Sequence, residues 1–381
     1  MTLEELKDKF RKWLLLEDSR MIDVVYGTIV ANIIKGETVN LYIVGPPSSG
    51  KTELMRAESK YEKSYEMSSL TPRSLISGFQ NGKKSKDKSL IHWLKDNGKV
   101  IVNIKDFTSI LTMRSDDRKE ILGQIREIAD GKYSKAFGTD ERFEWEGKIG
   151  FIACVTNVID EHYSLNQMLG ERFLYYRCGN DIPAMKLAKF SQEMAGREGE
   201  MRDELSEASV EFLNRFNDVT ISDIWMTSDM AMRINHLVCM VAVARSAISR
   251  DRFTRAFNYV PCAEAPPRLS KQMTQLGAGI AIINDKKELD EYVFRILYKV
   301  GWDTIPSVRK VILTAMLEDK IMGENKKGAK DIANLIHYPN STVRNYLEDF
   351  WVLKIVDKGG DEDGLWGLSN SFMDHIRGME G

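Results

Sequence analysis

The chain has 381 residues, with 54 basic and 56 acidic side chains, a formal net charge of -2 and 43% hydrophobic residues. That length predicts two to three ordinary domains or one very large one, and the composition excludes a disordered or fibrous chain. A near-neutral balance excludes a positive field over the whole molecule, so any nucleic-acid binding must come from local patches.

Met1 leads into charged LEELKDKFRKW, and no apolar run approaches the roughly 18 residues that span a bilayer. Neither a signal peptide nor a membrane partner is expected. Cys154, Cys178, Cys239 and Cys262 stand far apart without a CxxC pair, which argues against a disulfide framework or a structural zinc and fits a reducing cytoplasm.

Residues 1–35 read as N-terminal helices, with Leu3, Leu6, Phe10 and Leu14 on one stripe and a second apolar run from Met21 to Ile34. VNLYIVG then reads as a buried strand feeding directly into GPPSSGKT. Residues 53–98 read as helix, loop, helix, with Lys83, Lys84, Lys86 and Lys88 as a solvated loop. KVIVNIKDF (99–107) and KIGFIACVTN (148–157) read as two more buried strands. A charged helix around 115–130 and a hairpin turning near Gly138–Asp140 lie between them. Buried parallel strands separated by helices predict an α/β three-layer sandwich over 36–182. Residues 183–300 read as a helical lid, broken by the prolines of PCAEAPPRLS, and 301–381 as a compact tail.

Gly45-Pro46-Pro47-Ser48-Ser49-Gly50-Lys51-Thr52 fits G-x-x-x-x-G-K-[ST] in full, with a strand before it and a helix after it. Backbone N–H groups of such a loop curl around phosphate oxygens. Lys51 is expected to reach the β- and γ-phosphates of ATP, and the Thr52 hydroxyl to bind Mg²⁺. The second strand supplies one carboxylate, Asp106, rather than an acidic pair. Either Asp106 is the metal-side acid and Phe107 replaces a catalytic glutamate, or Lys105 takes the metal-side position and Asp106 polarises water; Glu127 is a candidate base from elsewhere. Asn157, after the third strand, can orient an attacking water or cap the segment that follows. Arg172 in Leu169-Gly170-Glu171-Arg172-Phe173 is the candidate for stabilising transition-state charge on a neighbouring subunit's nucleotide, with Arg177 second.

The order strand–GPPSSGKT, strand–KDF, strand–TN, GERF and helical lid, from about 20 to 260, resembles the AAA+ ATPases. The resemblance implies Walker A at Lys51 and Thr52, Walker B at Asp106, sensor 1 at Asn157 and an arginine finger at Arg172. It also implies a lid arginine as sensor 2, Arg233, with Arg245 and Arg268 as rivals. The hairpin before the third strand looks like the pre-sensor-1 hairpin clade, which includes minichromosome-maintenance helicases and ATPases of phages and mobile elements. A hexameric ring or helical filament is implied, with Lys132, Lys135 and Arg142 facing DNA.

In the tail, SVRKVILTAMLEDK and GAKDIANLIHYPNSTVRNYLEDFWVLKIVDK read as helix, helix, turn, helix, and KIVDKGGDEDGLWGLS as two strands. This pattern resembles a winged helix-turn-helix, whose DNA reading puts Ser341, Thr342, Arg344 and Asn345 in a major groove. The acidic tip Asp361, Glu362 and Asp363 repels phosphate, so DNA contact and protein docking both stay open for this unit. Arg245, Arg250, Arg252 and Arg255 form a basic run that reads either as a nucleic-acid contact or as a solvated helix end. The scattered histidines are not expected to bind metal. Two functions stay open: an ATP-driven DNA motor, helicase or loader of a phage or mobile element, and a nucleotide-gated oligomerising switch in phage defence, transposition or transcription with a partner protein.

Overall fold

The computed structural model describes the chain except residues 17, 73, 76–89, 137–141, 164–170, 180–181, 221–223, 252, 322–325, 360–363 and 381. The lysine run 83–88, the hairpin tip and the acidic tip 361–363 lie outside the described residues. The chain forms two compact units. The first comprises 1–162, 169–225 and 275–296, the second 163–168, 226–274 and 297–381. The stretch read as one helical lid is thus divided between them.

In the first unit, helices α1 (Leu3–Trp13) and α2 (Arg20–Ile33) precede strand β1 (Asn40–Val44) and helix α3 (Lys51–Ala57). Strand β2 (Ser64–Met67), helix α4 (Leu90–Asp96), strand β3 (Ile101–Ile104) and helices α5 (Thr108–Leu111) and α6 (Ser115–Ala129) follow. The hairpin β4 (Lys132–Ala136) and β5 (Arg142–Glu146) leads to β6 (Gly150–Val155), β7 (Phe173–Arg177) and helices α7 (Ala184–Met194) and α8 (Glu198–Asn214). The sheet is parallel throughout, in the order β2-β3-β6-β1-β7. The α/β class read from the sequence is observed, and β2 and β7 are additions to the three strands expected. SYEM is an edge strand whose half-buried residues carry no apolar signature, and FLYYR is short and follows directly on GERF.

Period-two burial divides the strands between two covered faces. Tyr42, Val44, Val102, Ile104, Phe151, Val155, Phe173 and Tyr175 pack with residues of α4, α5 and α6, and with Tyr133 and Trp145 of the hairpin. Tyr42 stacks on Phe173 at 3.9 Å between ring centroids and meets Phe107 at 4.9 Å. On the other face α2 is buried almost along its whole length against β1 and β6. Asn32 there bonds the Thr28 and Val39 carbonyls and accepts from the Val39 amide. A Cβ at Gly279 would come within 2.1 Å of the Gly27 carbonyl oxygen, so the backbones cross too closely for a side chain. Helix α1 buries Leu3, Leu6, Phe10 and Trp13, so Trp13 closes the stripe expected to end at Leu14.

In the second unit, Thr227 caps α9 (Ser228–Ala244) by accepting from the Met230 amide. Helices α10 (Pro267–Ile283) and α11 (Glu291–Thr304) are shared between the two stretches of sequence that the units divide. The tail contains α12 (Ser307–Ile321), β8 (Lys327–Gly328), α13 (Ala329–Leu335), α14 (Asn340–Val352), β9 (Val356–Lys358), β10 (Leu365–Leu368) and α15 (Asn370–Arg377). Its sheet is antiparallel in the order β8-β10-β9. His236 on α9 and His375 on α15 meet with their Nδ1 atoms 3.3 Å apart. Among the described residues no helix is long and apolar enough to cross a membrane, and no group of three His, Cys, Asp or Glu could hold a metal.

Gly279→Ala is expected to destabilise the first unit by about 1–3 kcal/mol, the cost of forcing a methyl into a closed packing site. Urea unfolding measures it; an unchanged midpoint would contradict the close crossing.

Candidate functional site

The loop Gly45–Gly50 joins β1 to α3 at the carboxyl edge of the sheet. The Gly45 amide donates to the Val155 carbonyl at 3.1 Å, and a Cβ on Gly45 would stand 3.0 Å from Cys178 Cβ. A side chain where the loop leaves the sheet between β6 and the end of β7 would have to push Cys178 aside by a few tenths of an ångström. Ser48 (φ 64°) and Gly50 (φ 80°) are both left-handed, which folds the loop back on itself. Lys51 lies in that fold. Its Nζ donates to the Gly45 carbonyl at 2.8 Å, the Pro46 carbonyl at 2.5 Å and Ser49 Oγ at 2.9 Å. Burial lowers the lysine's pKa, with Cys178 and Cys154 pulling the other way. Thr52, the next residue, remains partly exposed.

The sheet order sets one strand, β6, between the loop strand β1 and β3. The ends of all three meet around Cys154. Burial pushes its thiol up to about 12; Lys51 opposes this, and Cys178, Asp106 and Glu58 add to it. Asp106 is exposed just past β3, and its Oδ1 accepts from the Thr108 amide at 3.0 Å. Thr108 Oγ1 accepts from the Thr156 amide at 3.1 Å, which fastens the end of β6 to the turn that carries Asp106. Asn157 follows, exposed, as the first residue of a 3-10 turn (Asn157–Asp160); the N-cap of that turn is Thr156, and no side chain caps it. Asp106 and Asn157 are thus brought to the same sheet edge as Lys51 and Thr52.

The neighbours of Asp106 are committed elsewhere. Phe107 is fully buried in the aromatic cluster under the sheet, and Lys105 is ion-paired to Glu66 at 2.6 Å. Glu127 is on the last turn of α6, near Tyr133 of the hairpin. Asp130 grips Arg172 through two bonds of 2.7 and 2.8 Å. Arg172 precedes β7, six residues before Cys178, which is about 20 Å of extended chain from the loop edge. It is separated from its own chain's Lys51 by the length of the sheet. Arg177 sits at the near end of β7, held by both oxygens of Asp160 at 2.9 and 2.8 Å.

In the second unit, Arg233 donates to the Met379 carbonyl at 3.0 Å. Arg245 is fully buried and bidentate to Glu264, which makes it a structural residue and corrects its candidacy as a phosphate sensor. Lys132 is exposed and 3.4 Å from Glu146 across the hairpin, so the hairpin carries acids as well as bases. Lys135 and Arg142 lie on β4 and β5, with side chains outside the described residues. Arg344 on α14 is largely exposed and 3.5 Å from Glu348.

Sequence reasoning missed a cavity of about 650 Å³ beside the loop. Pro47, Ser48, Ser49 and Gly50 contribute on one side, Leu14, Leu16 and Met21 on a second, and Tyr176, Cys178 and Leu187 on a third, with charged Glu53, Arg197 and Arg202 also in the lining. Its size and mostly apolar lining suit a flat ring of small-molecule dimensions next to an anion on the loop. The lining comes from four separate stretches of chain, so no local spacing announces it. The chain matches no protein-family model and no curated protein.

Beneath α3, Glu58 is buried, accepting from Ser64 Oγ at 2.6 Å and from Asn103 Nδ2. Burial pushes its carboxyl up from 4.5 to about 8. Between those two values the folded chain keeps a proton that the unfolded chain has lost, so stability falls as pH rises through this window and levels off above it. Each pH unit costs about 1 kcal/mol. Glu58→Gln is expected to flatten that slope and to raise stability at pH 8 relative to the parent. Denaturant unfolding across the window reads it; parallel slopes in the two proteins would contradict the buried acid.

Proposed function

We propose that this chain is a P-loop ATPase of the AAA+ type that assembles through its nucleotide site and acts on DNA. One observation carries the reading. A full G-x-x-x-x-G-K-T loop has its lysine centred among loop oxygens, and the strand ends bearing Asp106 and Asn157 share its sheet edge. Lys51 and the loop amides would bind the phosphates, and the apolar cavity beside them would take the base. Mg²⁺ held through Thr52 and Asp106 would neutralise charge on the phosphates. Asn157 would orient water. With Phe107 in the core, the position after Asp106 offers no general base, so turnover would be slow.

Arg172 supports assembly. An arginine about 20 Å from its own loop cannot serve that loop, but at a subunit boundary it can serve a neighbour's. Arg172 and Asp130 would then exchange a pair within one chain for a contact across two. A ring or filament meets this requirement. Helices α12, α13 and α14 with the three short strands of the tail read as a winged helix, offering Arg344 to DNA or a surface to a protein partner.

A second reading, the nucleotide-gated switch, is favoured by one feature. Asp106 is flanked by a buried phenylalanine and a salt-bridged lysine, an arrangement better suited to holding ATP than to splitting it.

Lys51→Ala is expected to abolish ATP binding, and Arg172→Ala to preserve it while lowering turnover about 10³-fold. Mixing the two variants should restore part of the activity, since each then contributes the intact half of a shared site. Equilibrium ATP titration and steady-state hydrolysis over a range of ratios test this. Retained ATP affinity in Lys51→Ala would remove the nucleotide reading, and failure of every mixture would remove the shared site.

A further inference from the structure

The basic run that ends the second unit's first helix folds into a shaped loop. Arg250 and Phe257 form a β-bridge, and the Asp251 amide donates to the Ala256 carbonyl at 2.8 Å. The Asp251 carboxylate accepts from the Phe253 and Thr254 amides and from Thr254 Oγ1, so its charge is spent inside the turn and its pKa is lowered by those bonds. Arg250 stacks on the Phe257 ring at 4.2 Å and pairs with Asp349 of α14 at 2.8 Å, which fixes the loop against that helix.

This hydrogen-bonded turn displays apolar groups to water. Phe253 is 90% exposed and Tyr259 50%, with Arg255 exposed between them at φ 61°. On the adjoining helix, Arg344 is largely exposed, and Glu348 is engaged by Arg250 and Arg344. A solvated helix end would show charges alone. Two exposed aromatic rings, Phe253 and Tyr259, on either side of the Arg255 guanidinium have a different complement. Stacking rings take unpaired bases, and the arginines take the phosphates between them. Inside a duplex the base faces are stacked on one another and closed to these rings.

We propose that the exposed face formed by Phe253, Arg255 and Tyr259, with Arg344 beside it, is a stacking platform for single-stranded nucleic acid. The site is independent of the P-loop and stands or falls without ATP. It extends the DNA reading above by naming the form of strand engaged.

Fluorescence anisotropy tests it with the full chain, without nucleotide, using a labelled oligothymidine and a duplex of equal length over a series of salt concentrations. Phe253→Ala with Tyr259→Ala should weaken single-strand binding tenfold or more, about what one or two lost stacks remove, and leave the salt slope unchanged. Arg255→Gln should flatten the slope by about 0.7, one phosphate contact. Duplex binding should respond little to the aromatic pair. Both aromatic groups are exposed, so the fold and ATP affinity should be retained, which separates failure here from failure of the nucleotide reading. Three results would overturn the proposal: no oligothymidine binding by the parent at low salt, unchanged affinity in the aromatic variant, or equal losses for single strand and duplex. If the aromatic variant instead changes the sedimentation coefficient at unchanged affinity, the patch joins copies of the chain and the proposal also fails.

Discussion

A buried ammonium must be surrounded by oxygens, and the loop after β1 is built around that requirement. Lys51 is 7% exposed, and its three partners all belong to the six residues before it. For those oxygens to converge, the chain has to turn sharply at Ser48 and Gly50 and leave the sheet flush against Cys178 at Gly45. The two outer glycines of the motif thus have separate physical reasons, close approach at the first and a left-handed backbone at the second. The energetic cost of desolvating the lysine is offset by hydrogen bonds that an anion in the loop would rearrange.

The rest of the site follows from the parallel sheet. All five strands present their carboxyl ends on one edge, so residues far apart in sequence gather there without local pairing. Inserting β6 between β1 and β3 brings Thr156 within reach of Thr108, and this bond aligns Asn157 with Asp106. The same parallelism puts the start of β7 on the opposite edge. Arg172 and Asp130 are bound together there, away from the loop of their own chain.

Much of the first unit was legible because its signals are local. VNLYIVG, KVIVNIKDF and KIGFIACVTN are apolar runs bounded by polar turns, and the P-loop is a contiguous eight-residue pattern. What escaped depends on long-range packing. SYEM becomes a strand only because β3 offers it an edge, and FLYYR only because β1 does. Arg245 looks like a free base in sequence, yet Glu264 lies 19 residues away and neutralises it in the core. Glu58 has no signature at all. Its perturbed acidity comes from the burial that Asn103 and Ser64 share with it. The cavity was invisible for the same reason, since residues from 13 to 202 contribute to it.

The central claim is that the loop 45–52 grips phosphate with its backbone. Amide hydrogen exchange with and without ATP and Mg²⁺ reads those amides directly. The account predicts slowed exchange from Gly45 to Thr52 and in the cavity segments around Leu16 and Cys178, with the hairpin β4–β5 unchanged. Exchange in 45–52 that is indifferent to saturating nucleotide would contradict it.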